Sequence, residues 1–452
     1  MAEVDVDSRG SWNSKIGFVL AAAGSAVGLG NIWKFPNVVA DHGGAAFIFI
    51  YIICCFVVGF PVMVAELTIG RRTRKNPVGA FKALSRGNKL FPLIGAWGIL
   101  CGVMILAFYN VVAGWTLSFI LEEITYALGF THVAAFFANL KHGPENAVFS
   151  ILFMGATVSI IMGGISNGIE KATKTMMPIL LTILVVMIGY VLTQNGSSVG
   201  LQHYLIPDFS KINTELVFSA MGQAFFSLSL GMGAMITYGS YLNEKQNIPE
   251  AASYVVLFDF AVAFLAGLLI IPALFVARAH GIDIYQKGSL VSSVGLVFQV
   301  LPMLFHSMSH WVGFLFGTTF FILLSMAALT STISLLEVPV SYAIDEHGIP
   351  RKKAALLIAS GILILSLFIS FDISWIDILA SVFNNVGLPL GGLLICLFLG
   401  YFWKTENALL EMKDGYENVE HSFFGRFWPV FVKYICPILI GIVFYQALVQ
   451  LF

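Results

Sequence analysis

The sequence predicts an all-α membrane protein of eleven transmembrane helices, built as a 5+5 inverted repeat with helices 1 and 6 unwound at mid-membrane. Three observations carry this. Of 452 residues, 58% are hydrophobic and 11% charged, against roughly 45–50% and about 25% in soluble domains; mean hydropathy is +0.88. Apolar runs of about 20 residues recur, the length that crosses a hydrocarbon core roughly 30 Å thick. Two of those runs are interrupted by Gly and Ser. The same composition excludes a soluble enzyme, and a net charge of -1 leaves no basic field to neutralise a nucleic acid backbone.

Apolar runs read against turn and charge punctuation place helices near 16–39, 44–70, 92–125, 147–163, 175–193, 215–241, 252–279, 309–342, 354–370, 375–402 and 428–450. Residues 1–15 form an N-terminal segment, 16–193 the first repeat (helices 1–5), 215–402 the second (helices 6–10), and 428–450 an added eleventh helix. The first residues carry Glu3, Asp5 and Asp7 and no apolar core, so they do not read as a cleaved signal peptide. With a cytoplasmic N-terminus, eighteen Lys and Arg fall on the inside and only Lys141, Lys211 and Lys287 outside. The positive-inside rule then orients the chain, with the C-terminus outside. Cys54, Cys55, Cys101, Cys396 and Cys436 all fall in apolar segments and suggest no disulfide framework.

The first helix is interrupted at Gly24-Ser25-Ala26-Val27-Gly28-Leu29-Gly30-Asn31 and the sixth at Ser227-Leu228-Ser229-Leu230-Gly231-Met232-Gly233. Each Gly costs a helix interior about 1 kcal/mol relative to Ala, so both stretches are expected to unwind. Irregular backbone at membrane depth is tolerated only when buried in protein or lining a cavity. Gly-interrupted helices at corresponding places in two halves point to a transporter binding site, and the 203-residue offset between Gly28 and Gly231 suits two five-helix halves.

Ionisable residues at membrane depth are few: Lys34, Glu66, Asp259, Glu337 and Asp377. Each is costly there and so a functional hypothesis. Around them lie Ser25, Asn31, Ser227, Ser229, Thr330, Ser331 and Thr332. Hydroxyl, amide and carbonyl oxygens are hard donors suited to an alkali or alkaline-earth cation. A zinc or copper site would want His or Cys, and none of the nine His falls in a ligand-spaced cluster within the helices.

Ser11-Trp12, the run Gly24 to Pro36 and Gly43-Gly44-Ala45-Ala46-Phe47 resemble the first helix and its exit in the neurotransmitter:sodium symporter family. Gln223-Ala224-Phe225-Phe226 leading into the second interruption resembles that family's sixth helix, and Leu329-Thr330-Ser331 part of its eighth. Eleven helices with short loops look like the bacterial amino acid branch, similar to multi-hydrophobic amino acid transporters, which implies a bacterial inner membrane.

The resemblance implies two sodium ions. One would take the Gly24, Val27 and Ala327 carbonyls with the Thr330 and Ser331 hydroxyls. The other would take the Ala26 carbonyl, Asn31, Ser227 and Asp259, which stands where the family usually has Asn. Animal members need chloride near this second site and many bacterial ones keep a Glu one turn further on, where Ala263 stands here. Asp259 is therefore expected to supply the compensating charge and make transport chloride-independent.

The substrate carboxylate is expected to meet the Tyr109 hydroxyl and the Leu29 and Gly30 amides, where a half-helix N-terminus favours an anion. The ammonium would meet the carbonyls of Ala26, Phe226 and Ser229. Gly28 stands where amine carriers have Asp, which implies a substrate that brings its own carboxylate. The implied side-chain pocket is Ile105, Tyr109, Phe226, Met232, Ser331 and Leu335, suited to large aliphatic or aromatic L-amino acids. Lys34 with Asp377, and Phe226 over Tyr109, look like an outer gate, though Lys lacks the bidentate fork of the family's usual Arg. Arg9 with Asp345 looks like the inner one.

The function expected is thus sodium-coupled import of a hydrophobic amino acid by alternating access, with sodium, the amino acid and the bilayer as partners, no nucleic acid, and the oligomeric state open. The alternative is proton coupling through Asp259 or Glu66. A channel would want repeated rings of carbonyls or charges, and an intramembrane enzyme lacks a His near Ser227, Ser229 or Asp259. Glu66 and Glu337 are expected to buttress the broken helices by accepting from free amides, and the segment 163–168 to unwind easily and open a water route to Thr330.

Overall fold

A computed structural model describes residues 10–286, 289–290 and 292–451; of the residues singled out above, Arg9 and Lys287 lie outside them. Helix α1 (Lys15–Ala26) starts at Ser14, whose side chain accepts from the Gly17 amide. After three irregular residues the chain resumes as α2 (Gly30–Asp41), bent by 50° from α1. Helices α3 (Ala45–Thr73), α4 (Pro92–Ala127), α5 (Gly143–Met162) and α6 (Ile165–Leu192) complete the first half.

The second half begins with α7 (Thr214–Ser227) and α8 (Ala234–Gly239), separated by six irregular residues. It continues through α9 (Ile248–Ala279), the short apolar α10 (Leu296–Ser307), α11 (His310–His347), α12 (Arg351–Phe371) and α13 (Ser374–Trp403). Helix α14 (Phe423–Leu451) follows. Among the described residues nine helices are long and apolar enough to cross a membrane, ten when the bent pair α1–α2 is counted as one. Reaching eleven requires counting α7–α8 as a second interrupted span.

The most extensive helix–helix interface joins α4 and α11, and the two interruptions lie beside this pair. The central helices are densely covered, with 67% of the apolar stretch of α9 buried against 28% in α14. Leu152, Val186, Leu357, Ile364, Phe368 and Ile438 are exposed large apolar residues of α5, α6, α12 and α14. Such a belt is stable only against lipid. The basic end is tied by Arg71, buried, whose Nε donates to Glu411 Oε1 at 2.9 Å and whose Nη1 donates to the Glu244 and Gln246 carbonyls. All five cysteines are free and buried.

The fifth span differs from its predicted bounds. It begins at Ile165 rather than 175, with a wide π-type turn over Ile165–Glu170. The reason is tertiary: the Asn13 amide and Ser14 hydroxyl donate to the Glu170 carboxylate at 2.8 and 3.0 Å, so a segment that reads as a Gly/Ser loop is held in helical register from outside.

Candidate functional site

The two interruptions face one another. Ser229, between α7 and α8, donates its hydroxyl to the Ser25 carbonyl at 2.9 Å, joining the second break to the first. Its φ of 54° is left-handed, a conformation that costs a non-Gly residue about 1 kcal/mol or more. Gly231, at φ 80°, donates its amide to Glu66 Oε1 at 2.7 Å, and a β-carbon there would run into the Leu388 carbonyl. Glu66 thus accepts from a free amide of the broken helix as expected. Glu337 does not: it accepts from the Tyr241 hydroxyl at 2.7 Å and from Arg351 Nη1 at 3.1 Å. A guanidinium brought in from the start of α12 satisfies it instead.

Asp259, on α9 and fully buried, collects donors from three other helices. Asn31 Nδ2 donates to Oδ1 at 2.7 Å, the Ser227 hydroxyl to Oδ1 and Oδ2 at 2.8 and 3.0 Å, and the Tyr51 hydroxyl to Oδ2 at 3.2 Å. Asn31 is itself oriented, accepting from the Gly28 amide at 3.2 Å. Every one of these donors is neutral. A buried carboxylate held only by neutral donors lacks a counter-charge, and a small hard cation supplies one through the same oxygens. Asn31, Ser227 and Asp259 are therefore assembled at one place, with Ala26 lining the adjoining cavity; Tyr51 was missed, because a Tyr in an apolar run reads as a packing residue.

The Thr330 hydroxyl donates to the Val27 and Ala327 carbonyls at 3.2 and 2.9 Å, and Gly24 leaves room for the Thr330 side chain. Four of the five residues expected there, Gly24, Val27, Ala327 and Thr330, are thus gathered. Ser331 turns the other way, donating to the Ser25 carbonyl at 3.4 Å and lying next to Gly28 and Tyr109.

Between the breaks is a cavity of about 20 Å³, room for about one water. Ala26, Gly28, Gly30, Ile105, Tyr109, Phe226, Ser227, Ser229, Met232, Ser331 and Leu335 line it. The Tyr109 hydroxyl accepts from the Leu29 amide at 2.9 Å, bringing together two of the three groups expected to meet the substrate carboxylate. A β-carbon at Gly28 would lie 2.7 Å from the Tyr109 hydroxyl and collide with Ser331 Oγ, so an Asp at this position would fill the cavity. The Phe226 ring presses on Gly30, 2.8 Å from where a β-carbon would stand. Beyond Phe226 opens a vestibule of about 530 Å³, lined among others by Lys34, His42, Glu215 and Gln223.

Lys34 Nζ stands 4.9 Å over the Phe226 ring. Among the described residues no ion pair of 4.0 Å or less joins Lys34 to Asp377, which is exposed on α13. At the other end Asp345 accepts from the Asn76 amide at 2.7 Å and its side chain at 3.0 Å. Among the described residues Trp12 also closes this end. Its Nε1 donates to the Tyr238 carbonyl at 3.0 Å and its amide to the Tyr241 carbonyl at 3.3 Å, while its ring packs edge-on against Phe18, Tyr238 and Tyr241.

Comparisons with known proteins agree with this geometry. A model of the sodium:neurotransmitter symporter family matches residues 9–147 and 141–452. The chain is 36% identical over 450 residues to an uncharacterized sodium-dependent transporter of Bacillus subtilis, covering 96% of each. It is 31% identical to another of Methanocaldococcus jannaschii, covering 97% of this chain and 90% of that one. The crystal structure of MhsT in complex with L-phenylalanine superposes with a TM-score of 0.85 at 38% identity, covering 97% of this chain and 100% of that one. The chain is a multi-pass, sodium-dependent transporter and belongs to the sodium:neurotransmitter symporter family.

Proposed function

We propose that this protein imports hydrophobic L-amino acids, large aliphatic or aromatic, by alternating access, driven by two sodium ions and without chloride. The observation that carries this reading is the buried Asp259 carboxylate, which no cationic side chain among the described residues neutralises and which accepts from the Asn31 side-chain amide and the Ser227 hydroxyl. A sodium ion there satisfies the charge that otherwise makes the site costly. Because the negative charge is built in, chloride has no compensating role. The second ion is assigned to the Gly24, Val27, Ala327, Thr330 and Ser331 oxygens, Ser331 turning toward them once its present contacts open.

An apolar lining with Met232 as an adaptable wall, a carboxylate cradle at Tyr109, Leu29 and Gly30, and no acidic side chain at Gly28 support an α-amino acid over an amine. The phenylalanine held by MhsT fits the same class. At about 20 Å³ the cavity must widen to admit it, by withdrawal of Phe226 and Met232. The basic end, carrying Arg71 and Arg351, is assigned to the cytoplasm of a bacterial inner membrane, which places the vestibule and the C-terminus outside.

Reconstitution in liposomes with sodium and proton gradients imposed separately tests the reading. Saturable uptake of labelled leucine or phenylalanine that needs inward sodium and is unchanged when chloride is replaced by gluconate is the expected result. Uptake driven by a proton gradient without sodium, or stimulated by chloride at saturating sodium, overturns it.

A further inference from the structure

Away from the central cavity, at the vestibule end of the molecule, a second group of ionisable side chains converges. Glu122 and Glu123, in the last turns of α4, and His306, on α10, bring three potential ligand atoms within 4.8 Å of one another. His306 Nε2 lies 3.4 Å from Glu122 Oε1 and 3.5 Å from Glu123 Oε2. Both glutamates are buried, at 4% and 1% exposure. Yet among the described residues Glu122 Oε2, Glu123 Oε1 and His306 Nε2 have no hydrogen-bond partner. Orphaned polar atoms on three adjoining side chains are costly, since each buried unsatisfied group costs about 1–3 kcal/mol or more.

Packing also favours their convergence. On α11, a β-carbon at Gly317 would collide with the Glu123 carboxylate, so a Gly there keeps the place open. The His306 ring lies flat on Tyr126, centroids 3.5 Å apart and planes 6° from parallel, which fixes its edge toward the glutamates. Glu123, His306 and a second imidazole, His310, line one cavity of about 180 Å³, which leaves room for further ligands including water.

We propose that Glu122, Glu123 and His306 form a binding site for a divalent transition-metal cation of the zinc class. Two carboxylate oxygens and one imidazole nitrogen, with a fourth position open to His310 or water, are the donor set and number that such an ion takes. The imidazole selects against calcium and magnesium, which prefer oxygen ligands alone. The ion would cancel two adjacent buried carboxylates and fasten α10 to α4. Through Phe298, which packs against Trp33, Trp115 and Phe119, that fastening reaches the helix bearing Lys34. This site is independent of the amino acid transported.

The test is zinc binding to the purified full-length protein in detergent, by competition with a chromophoric chelator and by thermal melting with and without zinc. One zinc per chain and a rise in melting temperature are expected. His306→Ala and Glu123→Gln should each weaken binding by more than about tenfold and abolish the zinc-dependent rise. Their cooperative melts without zinc establish that they fold. Cobalt in the same site should show the visible bands of oxygen and nitrogen ligation, without thiolate charge transfer. A wild-type protein that binds no zinc, or a His306→Ala variant with wild-type stoichiometry and affinity, overturns the proposal.

Discussion

The two ends of the central path are closed by very different means. Toward the vestibule the cavity is covered by one ring, Phe226, with Lys34 over its face, and beyond them lie about 530 Å³ of open space. Toward the basic end the closure is many layers deep. Trp12 bonds to two carbonyls and packs on three rings; Tyr241 and Arg351 converge on the fully buried Glu337; and Asn76 holds Asp345. A single cation–π contact at such a site is worth about 0.5–1 kcal/mol, so the vestibule side opens by moving one side chain. The basic side opens only if a cooperative network comes apart. On the proposed function, sodium and substrate binding at the breaks between them would supply that energy through differential affinity for the two states.

Substitutions rank this contrast. Arg351→Leu leaves the Glu337 carboxylate buried without its cation and should cost about 3–5 kcal/mol, seen as a large drop in thermal stability in detergent. Adding Glu337→Gln should restore part of it, which a pure packing loss would not show. Trp12→Ala removes a buried ring and a hydrogen bond, about 3 kcal/mol, and should also raise the reactivity of a cysteine placed at Ser334, which lines the central cavity, toward a membrane-impermeant thiol reagent from the basic side. Glu170→Gln, which weakens the hold on Asn13 and Ser14, should cost about 1–2 kcal/mol. Lys34→Met should have the smallest effect, about 0.5–1 kcal/mol, appearing as a few-fold faster release of bound amino acid with little change in melting temperature. If Lys34→Met proved as destabilising as Trp12→Ala, the ends would be equivalent and the contrast would fail.

What could be read from the chain follows the same division. Both helix interruptions and the Asn31, Ser227, Asp259 and Thr330 donors were legible, because small and polar residues at membrane depth are expensive and stand out against apolar sequence. Their grouping into two sites came from the family resemblance, since Asp259 and Thr330 lie on α9 and α11 rather than on the broken helices. The Trp12 contacts at the basic end were not legible: Trp12 and Tyr238 are 226 positions apart, aromatic residues are common in such a chain, and the partners are carbonyls that no composition reveals. Glu337 illustrates the point. Its cost was evident from sequence, but its partner Arg351 reads as an ordinary inside-loop charge. Glu170 likewise converts an apparent loop into the first turn of α6 through contacts made from the N-terminal segment. Lys34 was visible, and among the described residues its ammonium stands over the Phe226 ring with no ion pair to Asp377, because a single ammonium without a fork sits as readily over an aromatic face as beside a carboxylate.

The central claim is that the Asp259 carboxylate binds sodium directly and replaces an anion. It is tested most directly by titrating sodium into wild-type protein and the Asp259→Asn variant while following binding of labelled amino acid, with and without chloride. The account predicts that the variant needs at least about tenfold more sodium, the equivalent of about 1.4 kcal/mol, and gains a dependence on chloride that the wild type lacks. An unchanged sodium requirement in Asp259→Asn, with chloride still without effect, would contradict it.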